Sequence, residues 1–315
     1  MLKYLVIQLA DDSTSYCHFN NDAVSEQFMP IDTLKAAIRF GMVENLNIQF
    51  VYPKRALPVG YSDVVETIDH TKIMPAGAAE IDKADIVVYN SIAELDDSVL
   101  HPLGIVILRI NRQEITELPR IYNSINGKCN RLNVVITDID KFVDGDFDTY
   151  KNVLMTIGAV VKEESVNKTC TQLNLINDRM LLQAMNNCNA GNESITLMPN
   201  GKFYPCAGFY FDNPDEDFGD LSRGVAVKNM HLFKLANSPI CRNCDAYQCR
   251  RCVWLNRRTT LEVNTPSRQQ CVVAHLERNE SGKILTEIRK NIDYAPGVSV
   301  QEIDYLDPFD NRKNW

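Results

Sequence analysis

The sequence has 315 residues, of which 45% are hydrophobic and 23% are charged, a composition typical of globular proteins. The net charge of −8 at pH 7 gives no electrostatic reason to bind nucleic acid or an acidic membrane. No apolar run approaches the roughly 20 residues that span a bilayer. The start, MLKYLVIQLADD, has the pattern of a buried strand and lacks a signal-peptide cleavage site. We therefore expect a cytoplasmic protein with neither a nucleic-acid nor a membrane partner.

Apolar, β-branched runs alternate with amphipathic segments up to about residue 180. Predicted helices begin at Pro30-Ile31 and cover about 113–125 and 150–161. Because the intervening strands are apolar throughout, they fit a parallel sheet that helices cover. The predicted fold is therefore α/β, either an open sheet or a partial barrel. Its six predicted strands are residues 2–9, 47–52, 84–90, 103–110, 132–139 and 171–176.

The pattern changes after residue 180. Two strand candidates, 194–199 and 202–206, flank Asn200-Gly201, the strongest hairpin signal in the chain. A cysteine-rich segment follows, and then a predicted helix near 271–292. We predict three parts of the chain with the bounds 1–180, 181–285 and 286–315.

Seven of the ten cysteines lie in one stretch of the C-terminal half. Because disulfides are disfavoured in a reducing cytosol, clustered cysteines there indicate a metal site. The central four have the spacing C-x2-C-x4-C-x2-C, in which tight turns aim pairs of thiolates at one zinc ion or one iron–sulfur cluster. A zinc ribbon shares this spacing, but the three further cysteines argue against it. The predicted metal ligands are Cys188, Cys206, Cys241, Cys244, Cys249, Cys252 and Cys271.

Cys188 and Cys206 bracket the hairpin as C-x12-G-x4-C, with Gly201 at the turn, and Cys271 follows Cys252 after 18 residues. This layout resembles the SPASM domain, the C-terminal module of many radical SAM peptide-modifying enzymes, although two inner gaps are each one residue shorter. The resemblance covers about residues 185–285 and implies one or two 4Fe–4S clusters. It assigns the proximal cluster to Cys188, Cys206 and Cys252, and the distal cluster to Cys241, Cys244, Cys249 and Cys271.

The resemblance leaves the proximal cluster one ligand short, since residues 181–187 contain no cysteine. That cluster would keep an open iron, take a distant ligand such as Cys170, or be absent. Five arginines accompany the cysteines, and we expect them to form a solvated face, although they could also donate to cluster sulfurs or contact a peptide. They are Arg242, Arg250, Arg251, Arg257 and Arg258.

A SPASM module normally follows a radical SAM barrel, and the strand pattern here fits a partial (β/α)6-type barrel. That family places C-x3-C-x2-C after the first strand, whereas residues 10–21 contain only Cys17, with Ala10 and Thr14 at the other two positions. The segment expected to hold the methionine amine of the cofactor, near residues 50–53, has neither a glycine pair nor an acid. We expect a degenerate barrel that binds no SAM, followed by a small α+β metal-binding module. Cys17 is expected to be a bystander thiol, as are Cys129 and Cys170.

The whole layout resembles CXXX repeat peptide maturases, which implies modification of a short, ribosomally made precursor peptide. The first hypothesis is an accessory maturation protein that binds the precursor peptide and auxiliary 4Fe–4S clusters and works with a true radical SAM enzyme. One alternative is a self-sufficient iron–sulfur enzyme that uses an open iron site. The other is a structural zinc-binding interaction protein.

Overall fold

The computed structural model describes residues 2–21, 25–96, 104–167 and 170–298. The strands in these ranges are β1 (Tyr4–Gln8), β2 (Asn47–Val51), β3 (Thr71–Pro75), β4 (Ile86–Tyr89), β5 (Ile105–Ile110), β6 (Arg131–Ile136), β7 (Gln172–Leu173), β8 (Ser194–Leu197), β9 (Phe203–Tyr204), β10 (Gly219–Asp220) and β11 (Gly224–Val225). Nine of them form one sheet in the order β7-β6-β5-β4-β3-β2-β1-β8-β9, while β10 and β11 form a separate antiparallel pair.

The α-helices of the described residues alternate with these strands and then dominate the C-terminal third. None of them is both long and apolar enough to cross a membrane. They are α1 (Ile31–Val43), α2 (Tyr61–Val65), α3 (Ile92–Asp96), α4 (Leu118–Ile125), α5 (Asp144–Asn167), α6 (Asn177–Leu181), α7 (Ala207–Asp212), α8 (Val253–Thr260) and α9 (Arg268–Arg289).

The first seven strands are wound in one direction, because each is parallel to its predecessor and lies beside it. Crossovers between parallel strands are right-handed, so successive connections of this kind lie on one face of the sheet. The other face carries a buried layer with one β-branched residue from each of the first six strands. These residues are Val6, Val51, Ile73, Val88, Ile107 and Val135. The predicted α/β class with a partial barrel is confirmed.

The six predicted strands are all present, but sequence analysis missed β3. Its sequence, TKIMP, begins with two polar residues and ends in proline, so it lacks the apolar run that marks its neighbours. The predicted hairpin is also present, with Gly201 in the left-handed region at φ +74°. Its first strand, β8, pairs in parallel with β1. The hairpin therefore extends the sheet of the N-terminal region.

Among the contacts that join α9 to the rest of the chain, two are especially close. Gly158 of α5 allows a close approach, since an added Cβ would lie 2.5 Å from Ile284 Cδ1. Asp245 accepts hydrogen bonds from Arg278 at 3.0 Å and from Arg179 at 3.5 Å, and all three side chains are buried. Removing one partner from such a buried network is strongly destabilising, because the remaining charges lose their compensation. The cysteine-rich segment is thereby fixed between α6 and α9.

Candidate metal centre and adjoining cavity

The loop that follows β1 is held against the inner face of the sheet by one buried arginine. Arg109 on β5 is 7% exposed. Its Nε and Nη2 donate to the backbone oxygens of Cys17 and Phe19, at 3.0 and 2.7 Å. The same guanidinium donates to the side-chain oxygens of Asn20 and Asn90. Because hydrogen bonds from a charged donor are strong, the position of Cys17 is well determined.

Aromatic rings connect this loop to the C-terminal region. Phe19 lies 5.7 Å from Tyr16, 5.9 Å from Phe211 and 6.5 Å from Trp254, measured between ring centroids. Each such pair contributes about 0.5–1.5 kcal/mol beyond the burial of its surface. Trp254 lies in the first turn of α8, two residues after Cys252. The ring cluster therefore brings the loop after β1 close to the last cysteine of the C-x2-C-x4-C-x2-C segment.

The cysteine-rich segment folds into tight turns that direct backbone N–H groups at sulfur. The N–H of Ala246 lies 3.4 Å from Cys244 Sγ, and the N–H of Arg251 lies 3.4 Å from Cys249 Sγ. Hydrogen bonds to the charged form of a group stabilise that form. Each N–H would therefore stabilise a thiolate at its sulfur, which is the state that binds metal.

Three of the predicted distal ligands share a buried environment. Burial raises the pKa of Cys249, and the neighbouring Cys241 and Cys244 raise it further. The Cys244 sulfur lies 3.7 Å from Nε2 of His275. Cys271 lies four residues before His275 on α9, so the two side chains project from the same helix face.

Arg251 lies close to both sets of cysteines and is only 2% exposed. Its Nη1 donates to the Phe233 carbonyl at 3.1 Å, and the guanidinium also pairs with the Cys241 side chain. Among the described residues, no nitrogen or oxygen atom accepts a hydrogen bond from Nε or Nη2. Burial lowers the pKa of Arg251, and the thiolates of Cys241, Cys249 and Cys188 act in the opposite direction. Buried donors of this kind require acceptors. Anionic sulfur atoms of a cluster would supply them, so the residues present fit such a group.

A second group forms around Cys17 and Cys252. Their sulfurs and a ring nitrogen of His18 lie within 4.8 Å of one another. The Nδ1 atom of His18 is 3.5 Å from the Cys17 sulfur. A hydrogen bond between the two thiols lowers the pKa of Cys17 and raises that of Cys252. Of the two thiols, Cys17 is therefore the more readily deprotonated.

Cys188 and Cys206 belong to the same neighbourhood. Burial raises the pKa of Cys206, and Cys188 and Cys17 raise it further. Cys188 is exposed as a residue, yet burial is the main cause that raises the pKa of its thiol to about 11. Both thiols also raise the pKa of Cys252.

The structure thus brings together Cys241, Cys244 and Cys249 in one place and Cys188, Cys206 and Cys252 in another. One expectation was wrong, because Arg251 is not on a solvated face. Cys17, which was expected to be a bystander thiol, lies beside Cys252 and His18. The retained third position of the C-x3-C-x2-C motif was the available signal for Cys17, but nothing in the sequence indicates what that thiol contacts.

A cavity of about 410 Å³ is bordered by His18, the residue after Cys17, and by Trp254, two residues after Cys252. His18 lines this cavity and also a smaller one, which Cys249 and Cys252 border. The lining combines amides, charges of both signs and two aromatic rings, a mixture that can bind a polar ligand in a fixed orientation. It comprises His18, Asn20, Asn111, Thr137, Asp138, Asp140, Lys141, Phe211, Asp212, Trp254, Leu255 and Arg258.

The fold is that of radical SAM/SPASM enzymes. A tagged form of the anaerobic sulfatase-maturating enzyme anSMEcpe with bound AdoMet has a TM-score of 0.64 over 94% of this chain and 98% of that chain, at 10% identity. Native anSMEcpe with AdoMet and either the Cp18Cys or the Kp18Cys peptide gives 0.64 at 11% identity, over 93% of this chain and 100% of that chain. At such identity the similarity concerns the fold. No protein-family model matches the sequence, and no curated protein matches it either.

A buried carboxyl group lies beside the distal cysteines. Tyr150 donates to Oε1 of Glu277 at 2.7 Å, and the side-chain amide of Gln248 donates to Oε2 at 3.1 Å. Burial raises the pKa of Glu277 from 4.5 to about 7. The folded protein therefore holds this proton at pH values where the unfolded chain has lost it. Stability falls as the pH rises through this window.

We expect Glu277→Gln to remove that pH dependence, because glutamine resembles the protonated acid and carries no charge. At pH 8 the variant should be more stable than the wild type by up to about 3 kcal/mol, while at pH 4.5 the difference should vanish. Urea unfolding at several pH values measures this. Glu287→Gln, at an exposed position of the same helix, serves as the control. Equal pH slopes for the wild type and Glu277→Gln would contradict the assignment.

Proposed function

We propose that this protein is an accessory maturation factor for a ribosomally made peptide. It holds two 4Fe–4S clusters on the cysteines of its C-terminal half, binds no SAM and works with a separate radical SAM enzyme. The observation that carries the proposal is the arrangement of two groups of thiols around the buried Arg251, beside a polar cavity. When bound, the clusters would supply one-electron redox chemistry.

The distal site would use Cys241, Cys244, Cys249 and Cys271. Support comes from the shared environment of the first three thiols and from the two N–H groups that point at sulfur. The spare donors of Arg251 are suited to cluster sulfurs, whose hydrogen bonds help to set the reduction potential. Arg251 thereby connects the chemistry of both sites.

The absence of SAM binding is supported by the loop after β1. Ala10 and Thr14 occupy the places of two cluster ligands, and both are buried. Tyr16 packs against the inner layer of the sheet. Arg109 of β5 donates hydrogen bonds to the backbone oxygens of Cys17 and Phe19. Side chains of the loop therefore occupy the space inside it, and Arg109 fixes its position.

Peptide binding is supported by the cavity. Its amides, Asn20 and Asn111, can pair with a peptide backbone, and the rings of Phe211 and Trp254 offer apolar surface. The anSMEcpe structures, which have the same fold, contain bound peptides. A precursor peptide in this cavity would lie next to His18 and the Cys17–Cys252 pair.

The first test is the metal content of protein purified without oxygen. We expect about eight irons per chain with matching sulfide and a broad cluster absorption, and no saturable heat of SAM binding in calorimetry. One or two zinc ions without iron would contradict the redox proposal. Saturable SAM binding would contradict the proposed loss of the radical SAM site.

The second test concerns the peptide. A fluorescent synthetic peptide with Cys-x-x-x repeats should bind, and Asp140→Trp should weaken binding about tenfold or more because the new ring fills the cavity. A tenfold loss corresponds to about 1.4 kcal/mol. Asp148→Trp, at an exposed position of α5, is the matched control. Equal affinity of both variants would refute the cavity as the binding site, and peptide modification by the lone protein would refute the accessory role.

A further inference from the structure

We propose that Cys17 is the fourth cysteine ligand of the proximal cluster. This inference rests on the proposed function and supplies the ligand that the sequence pattern leaves missing. Cys17 stands at the third position of the C-x3-C-x2-C motif, and we infer that it binds the proximal cluster instead of a radical SAM cluster. The complete ligand set is Cys17, Cys188, Cys206 and Cys252.

The distance between sulfurs supports this assignment. Cys17 and Cys252 bring their sulfurs within 4.8 Å of each other. With metal–sulfur bonds of about 2.3 Å, two ligands of one tetrahedral ion lie about 3.8 Å apart, and ligands of separate irons lie further apart. The two thiols can therefore reach one cluster after small side-chain movements.

The other two cysteines are close enough to respond to Cys17. Cys17 raises the pKa of Cys188 and also that of Cys206, in each case after the larger effect of burial. The pKa of Tyr16, the residue before Cys17, is raised mainly by burial, and Cys206 and Cys188 raise it further. The loop after β1 thus enters the space between the cysteines of the hairpin and α8.

The position of Cys17 is imposed by the surrounding fold. Its carbonyl accepts from Arg109, and the flanking Tyr16 and Phe19 pack edge to face. A side chain held on both sides is pre-organised for a ligand, which lowers the entropic cost of binding.

Cys170, the distant candidate, lies elsewhere. Its sulfur is 3.2 Å from the Tyr122 hydroxyl and 3.8 Å from the Asn177 amide nitrogen. Tyr122 belongs to α4. Cys170 is therefore fixed beside α4. The cysteine whose sulfur lies near that of Cys252 is Cys17.

His18 has a separate role in this arrangement. Its Nδ1 lies 3.5 Å from the Cys17 sulfur, where a protonated nitrogen can donate to a thiolate. Hydrogen bonds to ligand sulfur raise the reduction potential of a cluster. The same ring lines the large cavity, so it separates the proximal site from whatever occupies that space.

The test compares variants by iron, sulfide and the EPR spectrum of the reduced protein, all prepared without oxygen. Cys17→Ala should lose about half of the iron, or keep it as a cluster with one open iron whose spectrum changes when 2-mercaptoethanol is added. Cys17→Ser should keep iron with shifted g values, because an oxygen ligand replaces sulfur. Cys170→Ala is the matched control and should retain full iron and the wild-type spectrum.

Full iron and an unchanged spectrum in both Cys17 variants would overturn the inference. It would also be overturned if the wild type held only about four irons, and if these irons depended on Cys244 but not on Cys17. A wild type without iron would instead refute the proposed function, so the two failures are distinguishable. Loss of the cluster in His18→Ala but not in Cys17→Ala would also overturn the inference, because the fourth ligand would then be His18.

Discussion

The positive charge of Arg251 is buried among thiols, and this constraint shapes the C-terminal half of the molecule. Burying a charge without compensation is costly. The anionic groups that act on Arg251 are cysteines, yet burial favours the neutral thiol at Cys249 and Cys206. Metal binding would resolve this conflict, because ligand thiolates remain deprotonated when buried. We therefore infer that metal binding and the folding of this region are coupled.

The fold builds the two groups of cysteines in different ways. The distal group comes from one short segment together with α9, and the Asp245 network fixes both. The proximal group gathers residues from the first loop, the hairpin and the start of α8. This is possible because β8 pairs with β1, which places the hairpin next to the strand that precedes Cys17. The continuous sheet thus joins parts of the chain that the sequence separates.

Much of this architecture could be predicted from residue patterns. The apolar runs marked six parallel strands, Asn200-Gly201 marked the hairpin, and the C-x2-C spacings marked the cysteine segment. The strand β3 could not be found, because its polar start and terminal proline hide it. The contacts of Cys17 and the burial of Arg251 were also beyond the sequence. The contacts of Cys17 depend on long-range packing through Arg109 and Phe19. The burial of Arg251 depends on its long-range contact with Phe233.

Two iron–sulfur clusters are proposed to lie on either side of Arg251. Anomalous difference maps from crystals grown without oxygen, measured above the iron and zinc absorption edges, test this directly. We predict two strong iron peaks, one among Cys241, Cys244 and Cys249 and one between Cys17 and Cys252. Zinc peaks at these positions, or an iron peak at the first position alone, would contradict it.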